Sequence, residues 1–516
     1  MTTSSRLVWS LLLAAASVAG SGCGEATTDS ATDPSHELHA SLRQEIRPTD
    51  GDGWFGNAYE KGVAVLSYDP PGGHFRVFYV LDRASTSAVD PADGDPTDGV
   101  PDFVNRVGAA AEQTYDSTVI RRGFRQPLDD SKYHDRPDFG GDGRFDIYLR
   151  MSGKGSDGYR VTEVCTDGMD GTSGRCSGYF VMNPTFKDSS YPTELDGIRV
   201  LTSHELFHAI QDAYSSGQWR TFSESTAVWN ELQVFPKTAG SEGTWQDYLR
   251  FIRAFQNEPE RPFDKSMGSG PAGAYAYGAA LFIEYLSERF GPKLIREIWE
   301  GCEAGPTGQQ RNFLDVLDVT LVSRYGITLA SAWTEFTRWN LLTGKLADGK
   351  RGYKDAAEYP EVRLEPTLTA WGDTQVALDG LSARYFKFAP TLTERTRVRV
   401  RLDDLNAARP VAAAYVVPAG TSVPGQELPL SVEGKELELA PGDALLLVVA
   451  SPVRGSVART VKMTIAPLPA SAVPPMEVTV SGCSYSAGPV ASRHGAAAVL
   501  LSLSLLLLLR RRPGLL

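Results

Sequence analysis

Apolar and polar positions alternate from Val63 to Val80 around Pro70-Pro71-Gly72-Gly73, and a period of two about such a turn predicts a hairpin ending in Phe75 to Val80. From Phe103 to Tyr115 the spacing turns helical, and Ile147 to Leu149 and Gly178 to Asn183 read as short strands. Leu201, Phe207 and Ile210 share one side of a helical wheel, while His204, His208 and Asp212 share another. Tyr214-Ser-Ser-Gly217 ends that helix. Apolar stripes then recur at Trp245 to Phe255, Ala279 to Phe290, Lys293 to Trp299, Phe313 to Tyr325 and Leu329 to Leu341. Near residue 355 the period returns to two. Arg384 to Phe388, Val398 to Leu402, Ala413 to Val417, Leu445 to Ala450 and Thr460 to Ile465 are separated by Pro/Gly turns, as in a β-sandwich of roughly 100 residues. The expected class is α+β, with a mixed part, then a helical part, then the sandwich.

The 516 residues, 42 % hydrophobic and 10 % aromatic, have a globular composition with room for several domains. A net charge of −12 argues against nucleic acid or an anionic lipid surface as partner. Arg6, the apolar run Leu7 to Gly20 and Ser21-Gly22-Cys23 predict a signal peptide over 1–22, with Cys23 either lipidated or close to an ordinary cleavage site. Residues 23–59 then form a tether or propeptide, and 467–482 a Pro-rich linker. Over 483–516, Cys483 precedes the apolar run Ala496 to Leu509 and Arg510-Arg511-Arg512. That order resembles the C-terminal sorting tails of myxobacterial surface proteins; a plain membrane anchor is the other reading. Both ends imply export to the cell envelope or outer surface, with the membrane reached through the termini. A disulfide across the glycine-rich loop from Cys165 to Cys176 fits an oxidising compartment, and Cys302 reads as a lone buried thiol.

The chemistry concentrates at His204-Glu205-Leu206-Phe207-His208. Histidines four apart on a helix can meet one zinc ion, and the glutamate between them lies beside the open coordination position. A third ligand is required, and Glu224 is the candidate, on a second helix capped by Ser223 and starting at Glu224. Glu231, two turns further, is either a rival ligand or a carboxylate supporting one. Glu205 would take the proton of the attacking water and return it to the leaving amine. Tyr275 and Tyr277, at a helix start, are candidate donors to the oxyanion or plain packing residues. Five aspartates between Asp90 and Asp102 suggest a structural Ca2+ site or a solvated acidic turn. His36-Glu37-Leu38-His39 has the wrong spacing for a helical metal pair and is read as tether.

His204-Glu205-x-x-His208, with Glu224-Ser-Thr-Ala227 and Glu231, resembles the gluzincin metallopeptidases, which use two histidines and a glutamate. The resemblance implies a two-lobed zincin-like catalytic domain over 60–350, followed by an accessory β-sandwich over 360–466. In the aminopeptidase N branch a tyrosine stands three residues before a helix-initial glycine, as Tyr275 does before Gly278, which implies Tyr275 as the oxyanion donor. Two features depart from that branch: the His208 to Glu224 spacing is shorter, and Val181-Met182-Asn183 lacks the glutamate that holds a free amino terminus. More broadly, residues 60–345 resemble a group of secreted myxobacterial proteins read as metallopeptidases. The expectation is a secreted, surface-anchored zinc endopeptidase acting on extracellular protein or peptide. The alternative is a catalytically inactive, zinc-binding surface adhesin.

Overall fold

The computed structural model describes residues 47–49, 58–129, 140, 142–152, 156–165, 174–238, 242–264, 273–303, 311–404, 410–455 and 458–469. The expected signal peptide, Cys23, most of the Pro-rich linker and the C-terminal tail lie outside them. The class is α+β. Among the described residues no helix is long and apolar enough to cross a membrane.

Five strands form the first sheet: β1 (Val65–Tyr68), β2 (Phe75–Val80), β3 (Phe145–Leu149), β4 (Gly158–Cys165) and β5 (Cys176–Met182), in the order β1-β2-β3-β5-β4. β2, β3 and β5 run parallel, while β1 and β4 pair antiparallel at the edges. β3 is buried along its whole length, which is why Phe145-Asp-Ile-Tyr-Leu149 reads as an apolar run with little alternation. Helix α1 (Asp102–Tyr115) covers one face, packing Phe103, Val104 and Val107 with Phe75, Val77, Ile147 and Phe180. A disulfide between Cys165 and Cys176 closes the β4–β5 hairpin, and Cys302 is free and buried, both as expected.

The other face of the sheet is sealed by Tyr59, Tyr148, Tyr159, Tyr179 and Val181 together with Arg47. The Arg47 guanidinium is fully buried, donating to Glu163 at 2.7 and 2.8 Å and pairing with Asp146. The Tyr59 hydroxyl donates to the Leu149 carbonyl at 3.0 Å. The end of the stretch read as tether or propeptide is therefore built into the domain.

Helices follow: α2 (Glu194–Asp212), α3 (Arg220–Val234), α4 (Glu242–Gln256), α5 (Gly273–Gly278), α6 (Ala280–Phe290), α7 (Lys293–Cys302), α8 (Phe313–Tyr325) and α9 (Leu329–Leu341). Their core is aromatic: Phe222 of α3 stacks on Phe313 at 4.3 Å and on Trp299 at 4.6 Å, and Phe263 meets Phe282, Phe313 and Trp333. This packing corrects the expected start of α3. Trp219 and Phe222 both dock on Phe313, so the helix begins one turn earlier, at Arg220, and Ser223 lies inside it instead of capping it.

Two antiparallel sheets complete the described chain. One is ordered β10-β9-β12-β7 and the other β11-β8-β13-β6, built from β6 (Gly372–Leu378), β7 (Ser382–Phe388), β8 (Thr396–Asp404), β9 (Val411–Val417), β10 (Glu427–Leu430), β11 (Lys435–Leu439), β12 (Ala444–Ser451) and β13 (Arg459–Pro467). Phe388, Val398, Val400, Leu445, Leu447 and Met463 fill the space between them. β12 is buried on both faces, because Leu446, Val448 and Ala450 pack outward with Tyr385, Tyr415 and Leu341 of α9.

Candidate metal centre

Thr193 caps α2 by accepting from the Asp196 amide, and the helix then runs through the core between sheet and helices, buried on nearly every side. Its contacts with α3 descend one helix as they ascend the other: Gln211 meets Ser223 and Thr226, His208 meets Glu224, and Ser203 meets Asn230. The two helices are thus antiparallel, and their facing sides carry the polar residues. Asp212, at the far end of the histidine stripe, pairs with Arg160 of β4 and ties the helix to the edge strand.

Within this pair three ligand atoms converge. His204 Nε2 lies 3.0 Å from His208 Nε2 and 3.2 Å from Glu224 Oε2, and His208 Nε2 lies 3.5 Å from the same oxygen. His204, Glu205, Glu224 and Glu231 are each 1 % exposed and His208 2 %, so water cannot satisfy them freely. The outer ring nitrogens are occupied. His204 Nδ1 faces Glu231 Oε1 at 2.7 Å, and His208 Nδ1 faces Gln211 Oε1 at 2.9 Å. Gln211 cannot turn around, because its amide nitrogen donates to the Ser223 carbonyl at 2.8 Å, an atom that only accepts. His208 Nδ1 is therefore a donor, and whenever both rings are neutral with the proton on Nδ1 they turn electron pairs on Nε2 towards each other and towards Glu224. Such a place demands positive charge. His204, His208 and Glu224 form a group that could hold a metal ion, the one group among the described residues to gather three ligand atoms within 4.8 Å.

Electrostatics point the same way. Burial pulls the His204 imidazolium down, but Glu224 and Glu231 more than offset it and hold the group well above its ordinary value. Burial pushes the Glu224 carboxyl up, and the two histidines reverse this and hold it well below the carboxylate range. Glu205 and Glu231 are both raised by burial, Glu231 to about 7. Several acids and two imidazoles in one dry pocket need cations, and a divalent ion can replace the protons that otherwise fill the place.

The structure brings together His204, His208 and Glu224 as two residues of one helix and one of the next, sets Glu205 on the helix of the histidines, and places Glu231 on the far side of the His204 ring, facing Nδ1. It does not bring Tyr275 to the cluster as the resemblance implied. The Tyr275 hydroxyl donates to the Arg261 carbonyl at 3.1 Å and its ring packs on Phe255, whereas the Tyr277 ring lies 5.6 Å from the His204 ring. The cause is local. A Cβ on Gly278 would sit 2.3 Å from the Phe251 carbonyl oxygen, so α5 presses directly on α4 and Tyr277 stacks on Phe251 at 4.8 Å. Gln211 and Arg220, whose Nε donates to Glu224 Oε1 at 3.3 Å, were not singled out beforehand; their offsets of three and four residues from a ligand were the available signal.

In the Asp-rich loop, Asp93, Asp95 and Asp98 accept amides of their own turns, Asp102 accepts from Gly94 and Asp90 pairs with Lys187, an arrangement in keeping with the acidic-turn reading.

No protein-family model matches the sequence, and no curated protein does. Among solved structures, the periplasmic g-type lysozyme inhibitor PliG of Salmonella Typhimurium aligns with 14 % identity over 20 % of this chain and 100 % of its own, at a TM-score of 0.15. The pre-peptidase C-terminal domain of a Bacillus anthracis collagenase aligns with 10 % identity over 20 % of this chain and 98 % of its own, at 0.14. A family GH115 4-O-methyl-α-glucuronidase aligns with 11 % identity over 67 % of this chain and 54 % of its own, at 0.12. Scores this low carry no argument.

Proposed function

We propose that the protein is a zinc-dependent endopeptidase, exported and held at the cell surface through its termini. On this reading the five-stranded sheet and the helices after it are the two lobes of a zincin-like catalytic domain. The observation that carries it is the convergence of His204 Nε2, His208 Nε2 and Glu224 Oε2 beside Glu205. Zinc with ligands at about 2.0–2.1 Å in tetrahedral array requires ligand separations of about 3.3–3.4 Å, close to the three distances found here. Two imidazoles and one carboxylate also leave room for water, as a hydrolytic site needs.

When bound, zinc acidifies water and polarises the substrate carbonyl. The chain's own residues do the rest. Glu205, on the turn between the two histidines, takes the proton of the attacking water and delivers it to the departing amine. Its burial favours the first half of that role, since a carboxylate whose carboxyl is raised above its ordinary value is a stronger base and takes the proton of water more readily. Glu231 and Gln211 hold the imidazoles in register, and Arg220 engages the outer oxygen of Glu224. Asn183 supports an endopeptidase: it stands at the end of β5 with its side chain committed to Ser152 and Ser156, offering no carboxylate to a free amino terminus.

The test is zinc per chain and casein cleavage by residues 24–480, wild type against Glu205→Gln. About one zinc in both, with cleavage reduced by roughly 10²–10⁴-fold in the variant, is expected from the loss of a general base. Zinc without cleavage by either would favour the zinc-binding adhesin, and no zinc would remove the ligand assignment.

A further inference from the structure

The segment that follows α4, residues 257–264, is held from the sandwich side. Asp264 accepts the Leu381 amide at 3.2 Å on one carboxylate oxygen and the Gly455 amide on the other, so a single side chain joins two separate turns of the sandwich. Gly380 makes this approach possible: its φ is +49°, and a Cβ there would lie 2.2 Å from Asp264 Oδ1. Two backbone bonds flank the carboxylate, from Phe263 N to Leu381 O and from Ala383 N to Pro259 O, each 2.9 Å. The same segment is tied to α5, because Arg261 O accepts the Tyr275 hydroxyl and the Arg261 guanidinium lies over the Tyr275 ring at 4.6 Å. Two residues further along α5, Tyr277 rests against His204. A second path runs through packing: Phe263 touches Phe313, and Phe313 stacks on Phe222 of α3, two residues before Glu224.

We propose that the β-sandwich is an internal clamp on the metal centre: through Asp264 it holds the segment after α4, and through Tyr275 that segment sets the helix carrying Tyr277 against His204. Asp264 is then a positioning residue that touches neither metal ligand nor substrate, and the sandwich belongs to the catalytic unit instead of serving as a detachable binding module. Its consequence for turnover rests on the peptidase reading; its consequence for α5 does not.

The experiment is hydrogen exchange by mass spectrometry on the full chain, comparing wild type, Asp264→Ala and Asp264→Asn. The asparagine keeps the shape but has one acceptor for two amides, and it serves if the alanine variant does not fold. Exchange over 259–264 and 379–383 should speed up by about tenfold, as for loss of a charged acceptor, and α5 over 273–280 should follow while 103–115 in α1 stays unchanged. Tyr275→Phe, which cuts only the second link, should speed exchange at 273–280 alone. Wild-type protection at 273–280 in all variants would overturn the clamp, as would unchanged exchange at 379–383 in both Asp264 variants. With the metal retained, kcat on a peptide substrate should fall by about tenfold or more, the size expected when a reacting geometry is slightly misplaced. A wild-type protein that cleaves no peptide would remove the peptidase reading and leave the exchange result to judge the clamp.

Discussion

Gln211 stands three residues after His208, so its amide reaches the outer nitrogen of that ring. Because the Ser223 carbonyl orients the amide, Gln211 decides which nitrogen of a neutral His208 ring keeps the proton and which keeps its electron pair, the one a metal ion would take on the proposed reading. Replacing it in Gln211→Leu should weaken zinc binding by about 10–100-fold with little effect on the fold. Chelator competition alongside near-ultraviolet circular dichroism would measure both, and wild-type affinity would remove the orienting role. The facing of His204 and His208 was legible because residues four apart share a side of a helix, whereas Glu224 was chosen with the help of the family resemblance and meets them through the packing of α3 on α2. The choice between Tyr275 and Tyr277 was not legible. It depends on how α5 rolls against α4, which the Gly278 contact with Phe251 determines.

Helix α6 carries a different buried acid. Glu284 and Glu288 are one turn apart, Glu288 accepts the Lys354 amide at 2.9 Å, and Glu284 Oε2 is buried without a hydrogen-bond partner among the described residues. Burial, with Glu288 and Asp355 nearby, pushes the Glu284 carboxyl from 4.5 up to about 8. Below pH 4.5 the folded and unfolded chains both hold this proton. Between 4.5 and about 8 the unfolded chain releases it and the folded chain does not, so stability falls as pH rises through that window. Glu284→Gln should flatten the fall, seen as a smaller loss of denaturation free energy between pH 5 and pH 8; an unchanged slope would place the penalty elsewhere. Element positions were largely legible, since α1, α6, α8 and α9 follow their apolar stripes to within a residue or so. The start of α3 was not, because docking of Trp219 and Phe222 on Phe313 outweighs the local preference of Ser223 for a cap.

At the scale of the molecule, the described residues up to Pro469 form one compact unit. Tyr385 donates to the Thr337 carbonyl at 2.9 Å, Arg338 pairs with Glu427 at 2.8 Å and Arg351 donates to the carbonyls of Pro424 and Gly425, all around an apolar patch shared by α9 and β12. Such a joint should unfold with the parts it connects. Calorimetry of residues 24–480 is expected to show a single cooperative transition, and two well-separated transitions would mean that the sandwich is independently stable. The alternation after residue 355 identified strands, and the charge of −12 argued against polyanionic partners, because period and composition are properties of the chain itself. The zinc-type motif belongs to the same class: one helix repeats its face every three to four residues wherever it lies. What only the tertiary structure decided is which distant residues meet. Glu231 behind His204, Tyr277 in place of Tyr275, Arg47 under the sheet and Asp264 under the sandwich each join segments whose separation along the chain says nothing of their distance in space, since that distance is set by the packing of one element's side chains against another's.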